Sequence, residues 1–347
     1  EGQKIALIGA LANDKTSPLG SWRIASDDET AVSVLEGMQA YKGNELTFAK
    51  GAEFFIGKQS FLNEVVVNTT DKSDFDEAIK IAKQSDVVVM VLGEHGFQTG
   101  EGRSRTNLQL PGVQQELLEA VYKVNKNIVL VLNNGRPLAI TWADKHIPAI
   151  VEAWQLGTQT GNAVAQVLYG DYNPSGKLPM SFPRNVGQVP IYYNYKNTGR
   201  PIDKDGNVFW SHYMDVEKTP LYPFGYGLSY STFEYSDLKL NGTSFEIGND
   251  INVSVNVKNT SSVDGKEVVQ LYIRDLFGSI TRPVRELKGF ELTALKAGET
   301  KTINFTLNKE TLGFYNNDGK YIVEPGDFKV FVGGSSITVH ETSFELK

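Results

Sequence analysis

The 347-residue chain contains no cysteine. Disulfides, zinc–thiolate centres, iron–sulfur clusters and a cysteine nucleophile are therefore excluded, while the compartment stays open because a disulfide-free protein can reside anywhere. Histidine is scarce. Only His95, His146, His212 and His340 occur, and no two have the H-x-x-x-H spacing of a helical metal site, so no metal is expected. Basic charge is also short: 34 Lys and Arg against 41 Asp and Glu give a formal net charge of −7. Binding polyphosphate needs a basic surface, so neither nucleic acid nor an anionic membrane is the expected partner. Long apolar runs are missing. The longest, 87–92 and 128–132, have buried-strand length and fall short of the roughly 18 residues that span a bilayer. The first residues, Glu-Gly-Gln-Lys-Ile-Ala, form no signal peptide and pass almost at once into a strand, which reads as a start created by cleavage, processing or expression design.

What is present is ordinary globular composition. Hydrophobic residues make up 40% and are spread along the chain, enough to exclude disorder over most of it. At roughly 150 residues per domain, about two domains are expected. The first two-thirds read as α/β. Lys4 to Ala10, Leu46 to Gly51, Val87 to Gly93, Asn127 to Gly135 and Ala149 to Trp154 are strand candidates. Between and after them lie helical patterns at Asp74 to Ser85, Val113 to Asn125 and Gly161 to Tyr169. Continuous β-branched runs alternating with amphipathic helices predict a mostly parallel sheet with helices on both faces. Functional loops of such sheets leave the carboxyl ends of the strands, which points to the segments after Gly9, Gly93, Gly135 and Trp154. Residues 171–230 are dense in Pro, Gly, Tyr and Asn and lack periodicity. Beyond them, Ile251 to Asn259, Glu267 to Asp275, Thr300 to Asn308, Gly326 to Gly334 and Ile337 to Leu346 alternate with period two between turn residues, the pattern of an antiparallel β-sandwich.

Chemistry is concentrated in the loop after Val87 to Gly93, which runs Glu94-His-Gly-Phe-Gln-Thr-Gly-Glu-Gly-Arg-Ser-Arg-Thr-Asn. Gly100-Glu101-Gly102 sets a carboxylate on a backbone able to turn sharply and approach a ligand. Arg103 and Arg105 are placed to position it or tune its proton affinity. The plainer alternative is a solvated loop whose ion pairs are worth about 0–1 kcal/mol. Trp22, in the loop after the first strand, has a flat face suited to stacking on sugar C–H groups; alternatively it packs under its own loop, the commoner outcome for a lone tryptophan. Trp142, Trp154 and Trp210 carry the same two readings, with Trp154 at a strand end favouring the core. Neither G-x-G-x-x-G nor a P-loop follows the first strand, and no G-x-S-x-G elbow occurs, which argues against a nucleotide site and a serine hydrolase.

Several longer runs, in order, carry a resemblance. They are Gly93-Glu94 through Leu110-Pro111-Gly112, Asn133-Asn-Gly-Arg-Pro-Leu138, Gly170-Asp-Tyr-Asn-Pro-Ser-Gly-Lys-Leu-Pro-Met-Ser-Phe-Pro183, Tyr222-Pro-Phe-Gly-Tyr-Gly-Leu-Ser-Tyr230 and Arg282-Pro-Val-Arg-Glu-Leu-Lys-Gly-Phe290. Over essentially its whole length the chain resembles the C-terminal part of glycoside hydrolase family 3, of the bacterial periplasmic β-glucosidase type. The resemblance implies an α/β sandwich domain over residues 1–212 carrying the acid/base loop, a linker over 213–232 and a fibronectin type III-like sandwich over 233–347. It also implies an N-terminal (β/α)8 barrel, absent here, that supplies the aspartate nucleophile and most contacts to the terminal glucose. By its position before Arg103-Ser-Arg105-Thr, Glu101 maps to the acid/base glutamate, with Glu94 as the alternative closer to a hinge. Trp22 matches the tryptophan that walls the outer sugar subsite in some members.

The implied reaction is retaining hydrolysis of terminal β-D-glucosyl residues. The nucleophile attacks the anomeric carbon while Glu101 protonates the departing oxygen, and Glu101 then activates water, with the two carboxyl groups about 5–5.5 Å apart. No cofactor or metal is implied. The expected partners are a β-linked oligosaccharide or glucoside and the barrel of the same enzyme, with a homodimer left open, in a periplasmic or secreted setting. The chain alone lacks a nucleophile and is expected to be inactive. β-Xylosidase or arabinosidase specificity, a non-catalytic carbohydrate-binding module and a structural unit that only stabilises a barrel stand as the other readings.

Overall fold

The computed structural model describes residues 2–23, 25–58, 60–202 and 207–347. By internal contacts the chain divides into two compact units, Glu1–Tyr172 with Asn185–Gly187, and Asn173–Arg184 with Gln188–Lys347. This is a division by contact, whereas the boundary near residue 212 expected from the sequence follows pattern and resemblance. The Pro- and Tyr-rich stretch after Tyr172 groups almost entirely with the second unit.

The first unit alternates strands and helices: β1 Lys4–Ile8, α1 Val34–Gln39, β2 Glu45–Ala49, α2 Phe75–Lys83, β3 Val87–Gly93, α3 Gln114–Val124, β4 Ile128–Asn133, α4 Thr141–His146, β5 Ala149–Glu152 and α5 Thr160–Tyr169. The strands form one parallel sheet in the order β2-β1-β3-β4-β5. Strands β1, β3 and β4 are buried on both sides, which explains why they read as unbroken apolar runs. Ile5, Leu7, Val89, Val91 and Val131 share a core with Val34 and Met38 of α1 and Val164 and Ala165 of α5. Helices α2 and α3 pack together, and the right-handed sense that parallel crossovers follow puts them on the opposite face. Helices thus cover both faces, as expected. The chain turns from one direction of winding to the other between β1 and β3, and this topological switch point opens a crevice at the carboxyl ends of those two strands.

Helices α1 and α4 were not anticipated. Helix α1 is only six residues long with Gly37 inside it, too short to show a period. Its signal is the start, where Ser33 accepts from the Glu36 N–H and Glu36 caps Ser33 in return. In α3 the expected apolar face holds for Val113, Leu117, Leu118 and Val121, whereas Val124 in the last turn is exposed.

The second unit holds β6 Phe233–Leu240, β7 Ser244–Phe245, β8 Ile251–Asn259, β9 Gly265–Asp275, β10 Glu286–Leu295, β11 Thr300–Leu307, α6 Lys309–Leu312, β12 Phe314–Tyr315, β13 Tyr321–Ile322, β14 Gly326–Gly333 and β15 Glu341–Leu346. One sheet runs β10-β9-β14-β15-β7, a second runs β11-β8-β6, and β12 pairs with β13 in a two-stranded ribbon. Alternate residues Ile251, Val253, Val255 and Val257 of β8 meet Val269, Leu271 and Ile273 of β9 and Phe328, Val330 and Val332 of β14 in one core. Strand β10 was not recognised from sequence because it is an edge strand with a bulge between Leu287 and Gly289 that breaks the alternation and leaves Phe290 and Leu292 exposed.

One close approach in the first unit depends on glycine. A methyl group on Gly37 would lie 2.1 Å from the Gly161 carbonyl oxygen, and one on Gly161 would lie 1.9 Å from the Ser33 carbonyl oxygen. Helices α1 and α5 therefore touch backbone to backbone. Gly161→Ala forces them apart and should destabilise the fold by about 1–3 kcal/mol, read as a lower denaturant midpoint at unchanged m. An unaltered midpoint would show that the helices separate without penalty.

Candidate active site

The loops from β1 and β3 meet at the switch point. A methyl group on Gly100 would sit 2.2 Å from the Ser21 hydroxyl oxygen and 3.6 Å from Trp22 Nε1. Glu101 is therefore next in the chain to a residue that abuts Trp22. Trp22 itself is 72% exposed, so it does not pack under its loop. Its neighbour Arg23 donates to the Gly20 carbonyl at 3.0 Å, pairs with Asp28 at 2.5 Å and lies 5.2 Å from the centre of the Phe97 ring. A cation–π contact thus links the β1 loop to the β3 loop.

Glu101 stands at the corner of a tight turn. The Arg103 N–H donates to the Gly100 carbonyl at 3.2 Å, and Gly102 has φ +71°, the combination of a type II turn whose third residue needs a left-handed backbone. Glu101 is exposed and makes no hydrogen bond or ion pair among the described residues. The turn is held from its flanks. The Arg103 guanidinium donates to the Phe61 carbonyl and lies 5.8 Å from the centre of the Phe61 ring, which meets Phe97 edge to face at 5.8 Å.

Glu94 is the opposite case. It is fully buried, its N–H donates to the Asn133 carbonyl at 2.7 Å, and both carboxylate oxygens are engaged. Arg105 Nη1 lies 2.7 Å from Oε1, Arg136 Nε lies 3.0 Å from Oε1 and 3.2 Å from Oε2, and the Gly135 N–H reaches Oε2 at 3.4 Å. Arg136 also donates to the Gln98 carbonyl, and Arg105 to the Gln109 carbonyl at 3.1 Å. Two glutamates of the same loop therefore differ entirely in setting.

Further polar groups crowd the same edge. His95 is buried, and its Nδ1 accepts from the Phe97 N–H at 3.1 Å. Burial pushes its proton affinity down, against the pull of Asp14, whose carboxylate lies 3.9 Å from Nε2. Glu152, at the end of β5, accepts from the Trp154 N–H at 3.0 Å and from Asn134 Nδ2 at 3.3 Å. Burial pushes its carboxyl up to about 8, with the charge of Glu94 adding to the rise and the two hydrogen bonds opposing it. Trp154 follows the strand instead of ending it, half-buried with φ 49°. Arg136, Gln98, Glu152 and Phe61 carried no role in the sequence reading; Arg136 lay in plain view within Asn133-Asn-Gly-Arg-Pro. Among the described residues no group of His, Cys, Asp and Glu is arranged to hold a metal, and no helix is long and apolar enough to cross a membrane.

The profile of the Glycosyl hydrolase family 3 C-terminal domain matches residues 1–230. The chain belongs to glycosyl hydrolase family 3. In this family 3 chain a fibronectin type III-like domain matches residues 267–336, on the strands of the β-sandwich. The chain is 46% identical to the periplasmic beta-glucosidase of Salmonella typhimurium, over 99% of its own length and 46% of that protein's. It is 41% identical to a beta-xylosidase of Formosa agariphila, over 96% and 44% respectively. The crystal structure of a beta-glucosidase from Listeria innocua in complex with isofagomine superimposes with a TM-score of 0.89 at 38% identity, over 99% of this chain and 46% of that one. The family 3 chain therefore spans about half the length of the relatives it matches.

Glu152 yields a pH prediction. Unfolded, its carboxyl ionises near 4.5, and folded near 8, so between those values the folded state holds the extra proton and stability falls as pH rises. Glu152→Gln removes this dependence. Urea titrations from about pH 5 to 8 should show a shallower decline for the variant, by up to about 1.4 kcal/mol per pH unit. Parallel curves would mean that Glu152 is ionised throughout.

Proposed function

We propose that this chain is the C-terminal portion of a retaining β-glucosidase and that Glu101 is its general acid/base. The observation that carries the reading is the setting of Glu101: exposed and, among the described residues, unpaired, at the corner of a clamped turn, next in the chain to a glycine that abuts an exposed tryptophan, at the switch point of a parallel sheet. A general acid needs reach, and a free proton-bearing oxygen directed at a leaving group outside its own fold. Glu94 has neither, since both of its oxygens are occupied. In this reading the (β/α)8 barrel implied by the family resemblance supplies the aspartate nucleophile. That carboxylate forms a bond to the anomeric carbon as Glu101 transfers its proton to the departing oxygen. Glu101 then takes a proton from water, which displaces the enzyme from the sugar with overall retention. Trp22 offers its face to the leaving sugar. The name of the Salmonella relative supports a periplasmic or secreted setting.

The Formosa relative favours a second reading, in which the terminal sugar is xylose. Comparing kcat/KM for aryl β-glucoside and aryl β-xyloside in the barrel-bearing enzyme decides between them, and a preference for the xyloside overturns glucose.

Glu101→Gln in that enzyme should slow hydrolysis of alkyl β-glucosides by about 10²–10⁴-fold. An activated dinitrophenyl glucoside should still glycosylate the enzyme, with azide restoring turnover by replacing base-activated water. Equal losses on both substrates would assign the acid to another residue. The isolated chain should show no turnover of an aryl β-glucoside until the barrel is added; turnover without it would refute the division of labour.

A further inference from the structure

We infer that Glu94 is a positioning residue for the acid/base turn, because one buried carboxylate ties down both limbs of the loop that presents Glu101. The inference rests on the assignment of Glu101 proposed above. Three residues before Glu101, the Gln98 carbonyl accepts from Arg136, whose Nε is bound to Glu94. Four residues after it, Arg105 binds Glu94 Oε1 at 2.7 Å. The limbs on either side of the turn thus converge on a single carboxylate at the end of β3. Glu94 is itself fixed to the end of β4 and the loop after it: its backbone N–H donates to the Asn133 carbonyl, and its carboxylate accepts from the Gly135 N–H. Among the described residues nothing bonds the Glu101 side chain, so its placement is inherited from these anchors.

The ion pairs are better explained by geometry than by stability. Each arginine side chain is 19% exposed and Glu94 is fully buried, so their desolvation offsets much of the Coulomb attraction. Apolar residues of equal volume would fold as well. What they would not supply is directional bonding from planar guanidinium groups, which fixes the loop in register. A catalytic acid displaced by about 1 Å loses on the order of 100-fold in rate.

Glu94→Gln and Arg105→Lys, made in the barrel-bearing enzyme, test this alongside Glu101→Gln. Arg105→Lys is the safer variant for folding, because Arg105 reaches the surface, and it decides the matter should Glu94→Gln not fold. Kinetics on an alkyl β-glucoside, which needs the acid, are compared with the rate of the glycosylation burst on a dinitrophenyl β-glucoside, which does not. Expected is a kcat loss of about 100-fold on the alkyl substrate, with KM within a few-fold and the activated burst nearly unchanged. A role in folding alone would lower both substrates equally by reducing the active fraction, and that result, or no loss at all, overturns the inference. If Glu101→Gln steepens the dependence on leaving group while the Glu94 and Arg105 variants do not, only the positioning role fails. If Glu101→Gln itself leaves that dependence unchanged, the assignment of the acid fails, and the positioning role with it.

Discussion

The buried carboxylate of Glu94, held between Arg105 and Arg136, is the interaction on which the rest of the candidate site depends. It joins three stretches: the end of β3, the descending limb of its own loop and, 42 positions on, the loop after β4. The loop from 94 to 112 is also held by Phe61, by the β1 loop and by bonds from Gln155 to Thr99 and from Ala139 to the Leu108 carbonyl, while Glu94 binds the limb that follows Glu101 through Arg105. A charged group at full burial persists only where its partners satisfy it, and both oxygens of Glu94 are satisfied. The arrangement confers one conformation more than it confers free energy.

Topology explains why this anchor lies where it does. In an open parallel sheet the winding direction reverses once, and the loops on either side of the reversal separate instead of covering one another. Here the reversal falls between β1 and β3, and those strands deliver Trp22 and Glu101. The central strands β1, β3 and β4 beneath are buried on both faces, and the backbone contact of α1 with α5 braces the sheet. An exposed turn can therefore be mobile at its tip and still be aimed by its base.

Polar groups at the same edge show how much chemistry is confined there. Glu94, His95, Asn133 and Asn134 are all buried within a few residues of strand ends. Burial raises the proton affinity of Glu152, and the neighbouring Glu94 adds to the rise.

Much of this was readable in the amino-acid sequence. Periodicity decides strands and helices, so the parallel sheet, the helices on both faces and the β-sandwich follow from residue order. So does the family, because its runs are long and appear in sequence. The glycines flanking Glu101 announce a turn for a local reason, namely that only they accept its backbone angles. What tertiary structure alone decided is which glutamate of one short loop is buried and which is free. The residue pattern sets Glu101 in a turn and Glu94 against the strand, but it does not show which carboxylate is bonded and which is exposed. The difference arises from Arg136, which reaches Glu94 across 42 positions of chain. Such a pairing has no period and no motif, and depends only on the sheet setting β4 next to β3.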